Sequence, residues 1–110
     1  MYDGLWIIEF ESMIQHYGKG ILVLNNGRLL GGDDGYYYHG TYRMIDNRFE
    51  GTATVIKHDP NSISVFGNIG HFEITLVGEI TGDYQFKAVG NIMNNPEAKI
   101  TITGIKKVDI

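Results

Sequence analysis

Apolar and polar residues alternate along much of this chain with the two-residue period of a β-strand. In the segment Leu5–Glu11, the side chains of Trp6, Ile8 and Phe10 share one face. The segment Arg48–Lys57 repeats the pattern, with apolar or small residues on one face and mostly threonine and glutamate on the other. No segment shows a convincing amphipathic helical pattern. The alternation therefore predicts an all-β protein whose strands each bury one face.

Turn signals divide this pattern into about eight short strands at nearly even spacing. The strongest signal is Asn26-Gly27, because a type I′ hairpin turn requires positive φ at both central residues. A second turn is predicted at Gly31-Gly32-Asp33-Asp34-Gly35, and residues 12–19 are predicted to form a connection. The predicted strands are 5–11, 20–24, 28–30, 36–44, 48–57, 71–80, 84–90 and a last strand that contains Ile100 and Ile102.

The glycine content favours a closed barrel over a sandwich. The chain has 15 glycines and two prolines in 110 residues, and many of the glycines fall inside predicted strands. Gly51, Gly78 and Gly90 are predicted to face inward, where a missing side chain allows sharp coiling of the sheet. We therefore predict a single domain, residues 1–110, folded as a small antiparallel eight-stranded β-barrel without substantial helix.

The inward-facing side chains of such a barrel are mostly large and apolar. An eight-stranded barrel is just wide enough to be filled by side chains or to hold one small ligand, and the sequence leaves both open. The predicted interior, and the wall of any ligand cavity, consists of Trp6, Ile8, Phe10, Tyr38, Phe49, Phe72, Ile74, Leu76, Phe86, Ile100 and Ile102.

The first two strands carry more apolar residues than one barrel interior can take up. Leu5 and Ile7 alternate with the predicted core, and the strand Gly20–Leu24 is apolar on both faces. We therefore expect Leu5, Ile7, Leu22 and Leu24, or their neighbours, to lie outside, and Tyr37 to join them opposite the inward-facing Tyr38. An exposed apolar patch usually marks a partner surface, and a symmetric homodimer is the simplest partner.

Composition narrows the location and the partners. The formal net charge of −4 argues against direct binding of nucleic acid. The chain has no cysteine, which excludes disulfides and thiolate metal sites and fits a reducing compartment. It shows neither a signal-peptide pattern nor an apolar run long enough to span a membrane. These features predict a cytoplasmic protein with no membrane partner.

The motifs that suggest chemistry have simpler explanations. Gly31-Gly32-Asp33-Asp34 resembles the signature of cyclic-dinucleotide synthases, but the helices, metal-binding aspartate and phosphate loop of those enzymes are missing, so a turn is favoured. The four histidines are scattered, and carboxylates such as Glu9 and Glu11 fit a solvated strand face. We therefore predict a non-enzymatic protein with no catalytic residue, no cofactor and no metal site.

Four segments in order resemble the GrlR family of bacterial negative regulators of type III secretion. They are Asp3-Gly4-Leu-Trp-Ile-Ile-Glu-Phe10, then Gly20-Ile-Leu-Val-Leu with Asn26-Gly27, then Gly31-Gly32-Asp33 with Tyr38 and Gly40, and a strand that ends near Lys57-His58. The resemblance covers roughly the first half of the chain. It rests on the order and spacing of the segments, since each one alone is ordinary turn and strand chemistry.

The resemblance implies a lipocalin-like or calycin-like barrel with an apolar interior that forms cytosolic homodimers. It also implies repression through binding of a transcriptional activator by an acidic loop. At that loop this chain has Asp46, Asn47 and Arg48, so the acidic binding mode does not carry over. Two functions are therefore expected: a regulatory adaptor that acts by protein–protein binding, or a carrier or sensor of a small apolar ligand.

Overall fold

The computed structural model describes residues 2–12, 16–66 and 69–110. Over these residues the chain forms eight β-strands and no helix. The strands are β1 Gly4–Ser12, β2 Tyr17–Asn25, β3 Arg28–Gly32, β4 Tyr36–Ile45, β5 Arg48–Lys57, β6 His71–Gly82, β7 Gln85–Ile92 and β8 Asn95–Asp109. No helix in this part of the chain is therefore available to cross a membrane.

The eight strands form one closed barrel in sequence order. Each strand pairs antiparallel with the next, and β8 pairs with β1 along the whole of β1, from Gly4 opposite Asp109 to Ser12 opposite Ile100. Closure leaves no unpaired sheet edge. The predicted all-β antiparallel barrel is thereby confirmed.

The two ends of the barrel differ in their connections. Short turns after β2, β4 and β6 lie at one end, the turn end. The opposite end, the loop end, carries the β3–β4 connection Asp33–Gly35 and the long β5–β6 connection. At the loop end, the backbone N–H of His58 donates to the carbonyl of Gly35 at 2.9 Å, which ties these two connections together.

The predicted hairpin at Asn26-Gly27 is confirmed, with φ of 57° at Asn26 and 83° at Gly27. The predicted turn at residues 31–35 is shorter than expected, because β3 continues through Gly32. A single carboxylate oxygen, Asp33 Oδ1, accepts from the backbone N–H of Gly35 at 2.9 Å and of Tyr36 at 2.8 Å. That side chain therefore fixes the turn.

Most strands are longer than the sequence pattern indicates, and β2 and β8 show why. β2 begins at Tyr17, before the predicted Gly20, because its first residues pair with the end of β1. Within the predicted connection 12–19, residues 13–15 lie outside the described residues. β8 begins at Asn95 and pairs with both β7 and β1. Tyr84, the first residue of the predicted strand 84–90, instead lies exposed in the β6–β7 turn.

Inward-facing glycines make room for aromatic rings, as the barrel prediction requires. A side chain at Gly78 would collide with the Phe49 ring and approach the Ala88 Cβ to 2.8 Å. A side chain at Gly104 would collide with the Phe86 ring. Phe49 and Phe86 meet edge to face with centroids 5.4 Å apart, and Trp6 packs on Phe86 at 5.1 Å. This cluster forms an aromatic floor near the turn end.

Candidate functional site

A cavity of about 220 Å³ occupies the inside of the barrel. Its wall is built mainly from apolar side chains contributed by all eight strands. The lining extends to Asp34, Ile63 and Tyr17 at the loop end, all of which are exposed to solvent. The cavity therefore reaches the surface at the loop end.

The structure places most of the predicted interior residues on this wall. The lining residues among them are Ile8, Phe10, Tyr38, Phe49, Phe72, Ile74, Leu76, Phe86, Ile100 and Ile102. Trp6 is completely buried but does not line the cavity. It lies behind Phe86 in the aromatic floor, and its Nε1–H donates to the Tyr2 carbonyl at 3.0 Å.

Two small residues of β5, Gly51 and Ala53, line the cavity. Ala53 faces the cavity and is paired with Gly40 on one side and Ile74 on the other. Gly51, two residues before it, also lines the cavity. Gly40 does not line the cavity: a side chain there would collide with the Thr52 carbonyl and the Ala53 backbone, so this glycine allows β4 and β5 to approach closely.

Most polar groups of the cavity cluster at the loop end, around Asp33 and Tyr38. The Tyr38 hydroxyl donates to Asp33 Oδ2 at 2.8 Å, while Asp33 Oδ1 accepts the two backbone N–H groups of its turn. Burial raises the pKa of Tyr38, and the carboxylates of Asp33 and Asp34 raise it further. The Tyr38 hydroxyl therefore stays neutral and keeps its proton directed at Asp33.

The β5–β6 connection packs over the same end. Phe66 meets Phe72 edge to face with centroids 5.6 Å apart, and Val65 and Phe66 contact the core. The Tyr36 hydroxyl donates to the carbonyl of Ile69 at 2.6 Å. These contacts hold part of the connection against the loop end of the cavity.

A second tyrosine–aspartate pair lies near the turn end. The Tyr42 hydroxyl donates to Asp3 Oδ1 at 3.2 Å, and the Asp3 carboxylate also accepts the backbone N–H of Asn26. Tyr42 lines the cavity, whereas Asp3 does not. Carboxylates therefore line the lumen at the loop end, through Asp33 and Asp34, whereas the Asp3 carboxylate at the turn end is not part of the lining.

The predicted outer surface needs one correction. Leu22 and Leu24 face inward and line the cavity, so their assignment to the outside is wrong. A five-residue apolar run does not reveal which alternate residues face in, and the register with β1 decides it. Leu5 pairs with Val23, and Ile7 pairs with Ile21, which places all four on the outer face.

These outer residues belong to a larger apolar surface across β8, β1, β2 and β3, which we call the outer apolar stripe. Ile105 pairs with Ile7, and Val108 pairs with Leu5. On the other side Leu30 pairs with Val23. The outer apolar stripe consists of Leu5, Ile7, Ile21, Val23, Leu30, Ile105 and Val108. Four of these residues are between 39% and 57% exposed: Ile21, Leu30, Ile105 and Val108.

The remaining predicted surface residues lie in two places. Tyr37 is on the outer face of β4, 43% exposed, with its ring stacked near the rings of His39 and His58. Its strand partner is Gly32, which in turn pairs with Ile21 of the outer apolar stripe. Asp46, Asn47 and Arg48 are exposed at the β4–β5 turn, away from the strands of the stripe.

The described residues offer no arrangement for metal chemistry. They contain no group of three or more histidine, cysteine, aspartate or glutamate side chains that could hold a metal ion. Asp33 serves the turn and Tyr38, and Glu9 lies 3.6 Å from Lys19 in an exposed ion pair. The geometry of these carboxylates fits structural and surface roles.

The pairing of Asp33 with Tyr38 was not predicted from the sequence. Its signal is indirect: an inward-facing tyrosine on β4 near a turn aspartate, and an inward-facing glycine on β2. A side chain at Gly20 would overlap the Tyr38 hydroxyl, so Gly20 leaves the space that the hydroxyl occupies.

Comparison of the sequence with protein-family models and with curated proteins gave no match. The candidate functions therefore rest on the cavity and on the outer apolar stripe.

Proposed function

We propose that this protein binds a small apolar molecule inside its barrel and acts as a carrier or sensor rather than as an enzyme. The observation that carries the proposal is the apolar cavity of about 220 Å³, which reaches solvent at the loop end. Its volume lies between the roughly 150 Å³ of a cavity that binds benzene and the roughly 300–1,000 Å³ of drug-sized sites. A substituted single aromatic ring, or an aliphatic molecule of similar size, fits this range.

The energetics support a binding role. Protein interiors have few voids larger than a water molecule, and about 220 Å³ is roughly the volume of seven waters at ~30 Å³ each. At ~24 cal/mol per Å³, an empty cavity of this size costs at most about 5 kcal/mol. A ligand that fills it recovers part of that free energy.

The test uses ethylbenzene as the probe and calorimetry as the readout. We expect saturable binding to the wild-type protein and a rise in its melting temperature with ligand concentration. Ala53→Leu places a larger side chain in the lumen and is expected to weaken binding at least about tenfold, which is ~1.4 kcal/mol. Thr52→Leu, on the outer face of the same strand, is the matched control and should bind normally. Absence of binding, or equal binding by both variants, would refute the proposal.

The outer apolar stripe supports a second candidate, a regulatory adaptor that acts by protein–protein binding. Contiguous exposed apolar surface is typical of partner surfaces, and the stripe is formed by paired residues on four adjacent strands. A second copy of the chain is the partner we propose, because two such stripes are self-complementary in a twofold dimer.

Sedimentation tests the dimer directly. We expect a dimer at micromolar concentration, and Ile21→Lys should dissociate it because the lysine would carry a charge into the interface. Thr54→Lys, on the outer face of β5, is the matched control. A monomeric wild-type protein would contradict the dimer.

The resemblance to the GrlR family adds a transcriptional activator as a proposed partner. The exposed residues Asp46, Asn47 and Arg48 are the candidate contact, with one acid and one base instead of an acidic run. Recovery of one stoichiometric activator, together with a native mass spectrum free of any adduct, would favour the adaptor over the ligand carrier. A retained small-molecule adduct would favour the carrier.

A further inference from the structure

The Tyr38 hydroxyl can offer a ligand in the cavity only a hydrogen-bond acceptor. A tyrosine hydroxyl has one proton, and Tyr38 donates it to Asp33 Oδ2 at 2.8 Å. Asp33 cannot turn away easily, since its other oxygen holds the backbone N–H groups of Gly35 and Tyr36. A ligand group that reaches Tyr38 must therefore donate a hydrogen bond.

The position of this hydroxyl is fixed by its surroundings. Gly20, on the neighbouring β2, leaves room for it, and a side chain there would overlap the Tyr38 oxygen. Tyr38, Asp33 and Asp34 all line the cavity. The acceptor and the two carboxylates thus lie at the loop end of an otherwise apolar lumen.

Charge at this end favours a cation. Among the described residues that line the cavity, Lys19 is the one basic side chain, and it is largely exposed and 3.6 Å from Glu9. Lys57, which pairs with Tyr36 on the neighbouring strand, has its Nζ 6.0 Å from the centre of the Tyr36 ring and is not part of the lining. The ring nitrogen Nε2 of His58 forms a hydrogen bond with the Asp33 backbone carbonyl oxygen at 3.0 Å. Asp33 and Asp34 therefore dominate the field that a ligand head group meets.

We propose that the ligand is a small apolar molecule with a protonated amine, whose ammonium group donates to Tyr38 and lies against the Asp33 carboxylate. This inference rests on the proposed function and names the class of its ligand. The apolar body fills the lumen beside Ala53 and Ile74. Carboxylate ligands are disfavoured, because their head group would lie beside two aspartates.

Three probes of nearly equal size separate the head group from the body: 2-phenylethylamine, phenylacetate and ethylbenzene. Their dissociation constants are measured by calorimetry at neutral pH with the wild-type protein. We expect the amine to bind at least about tenfold more tightly than phenylacetate, the range of a charge-assisted hydrogen bond. Ethylbenzene should bind with an affinity between the two.

Variants assign this preference to the loop end. Asp33→Asn keeps an oxygen for the turn while it removes the charge, and Tyr38→Phe removes the acceptor. Each should reduce the preference for the amine over phenylacetate by at least about threefold, with ethylbenzene binding retained. Tyr84→Phe is the control, since Tyr84 is exposed in the β6–β7 turn and does not line the cavity, and it should keep the full preference. Asp34→Asn, outside the turn hydrogen bonds, provides a second charge variant if Asp33→Asn does not fold.

The outcomes distinguish this inference from the function on which it rests. Equal affinities of the wild-type protein for amine and phenylacetate would overturn the assignment of an ammonium head group. So would a preference for the amine that Tyr38→Phe leaves unchanged. In either case, binding of ethylbenzene would still support the cavity as a binding site. Failure of all three probes to bind would overturn both.

Discussion

Ala53→Leu is expected to stabilise the ligand-free protein. Ala53 is 5% exposed and faces the cavity. Its strand neighbours are Gly40, which has no side chain, and Ile74. Most substitutions of a small core residue by a larger one are destabilising, because a well-packed core has no room for it. The opposite sign is expected here because the added atoms enter the lumen.

The magnitude follows from the buried carbons. Leucine adds three carbons to alanine, and at about 0.8 kcal/mol each they contribute about 2.4 kcal/mol of burial. Ordering the leucine side chain costs about 0.5–1 kcal/mol. The net gain is about 1.5 kcal/mol, and at roughly 4 °C or more per kcal/mol the melting temperature should rise by about 6 °C.

Urea and thermal denaturation without ligand measure this change. Thr52→Leu adds apolar surface on the outer face of the same strand and should change the free energy of unfolding by less than about 0.5 kcal/mol. A loss of more than about 1 kcal/mol by Ala53→Leu, the range expected for overpacking, would show that side chains already fill the lumen. The proposed binding site would then not exist.

Three further predictions test other parts of the structure. Trp6→Ala removes the ring packed on Phe86 and should cost about 3–5 kcal/mol in urea denaturation; a loss below about 1 kcal/mol would contradict the aromatic floor. Gly27→Ala forces a side chain into positive φ and should cost about 1–2 kcal/mol, whereas Gly70→Ala, with open space around it and no such φ, should be nearly neutral. The pKa of Tyr38 is raised above its ordinary value of 10.0, so stability should fall as the pH rises past that value. Tyr38→Phe should make that fall shallower, and an unchanged pH profile would argue against the buried, neutral hydroxyl.

Much of the fold could be predicted because local chemistry determines it. Strand alternation and turn residues such as Asn26-Gly27 determine local structure within a few residues, so the antiparallel barrel could be predicted from the sequence. The ends of the strands could not be predicted, because pairing with a distant strand determines them. β2 extends back to Tyr17 since its first residues pair with β1. β8 is long because its residues 95–105 pair with β7 whereas its residues 100–109 pair with β1.

The site was harder to predict from the sequence, because it depends on the register of the strands and on the empty space between side chains. The assignment of Leu22 and Leu24 to the outside was wrong, since the pairing of Ile7 with Ile21 turns them into the lumen. Hydrophobic alternation alone does not reveal whether a lumen is filled. The hydrogen bond between Tyr38 and Asp33 joins a strand to a turn, and no short motif in the sequence marks it.

Nuclear Overhauser contacts between ethylbenzene and the methyl groups of the protein test the central claim most directly. The account predicts contacts from the bound ligand to the methyl groups of Ala53 and Ile74, which line the lumen. Contacts only to Ile21 and Ile105, on the outer apolar stripe, would place the ligand outside the barrel and contradict the account.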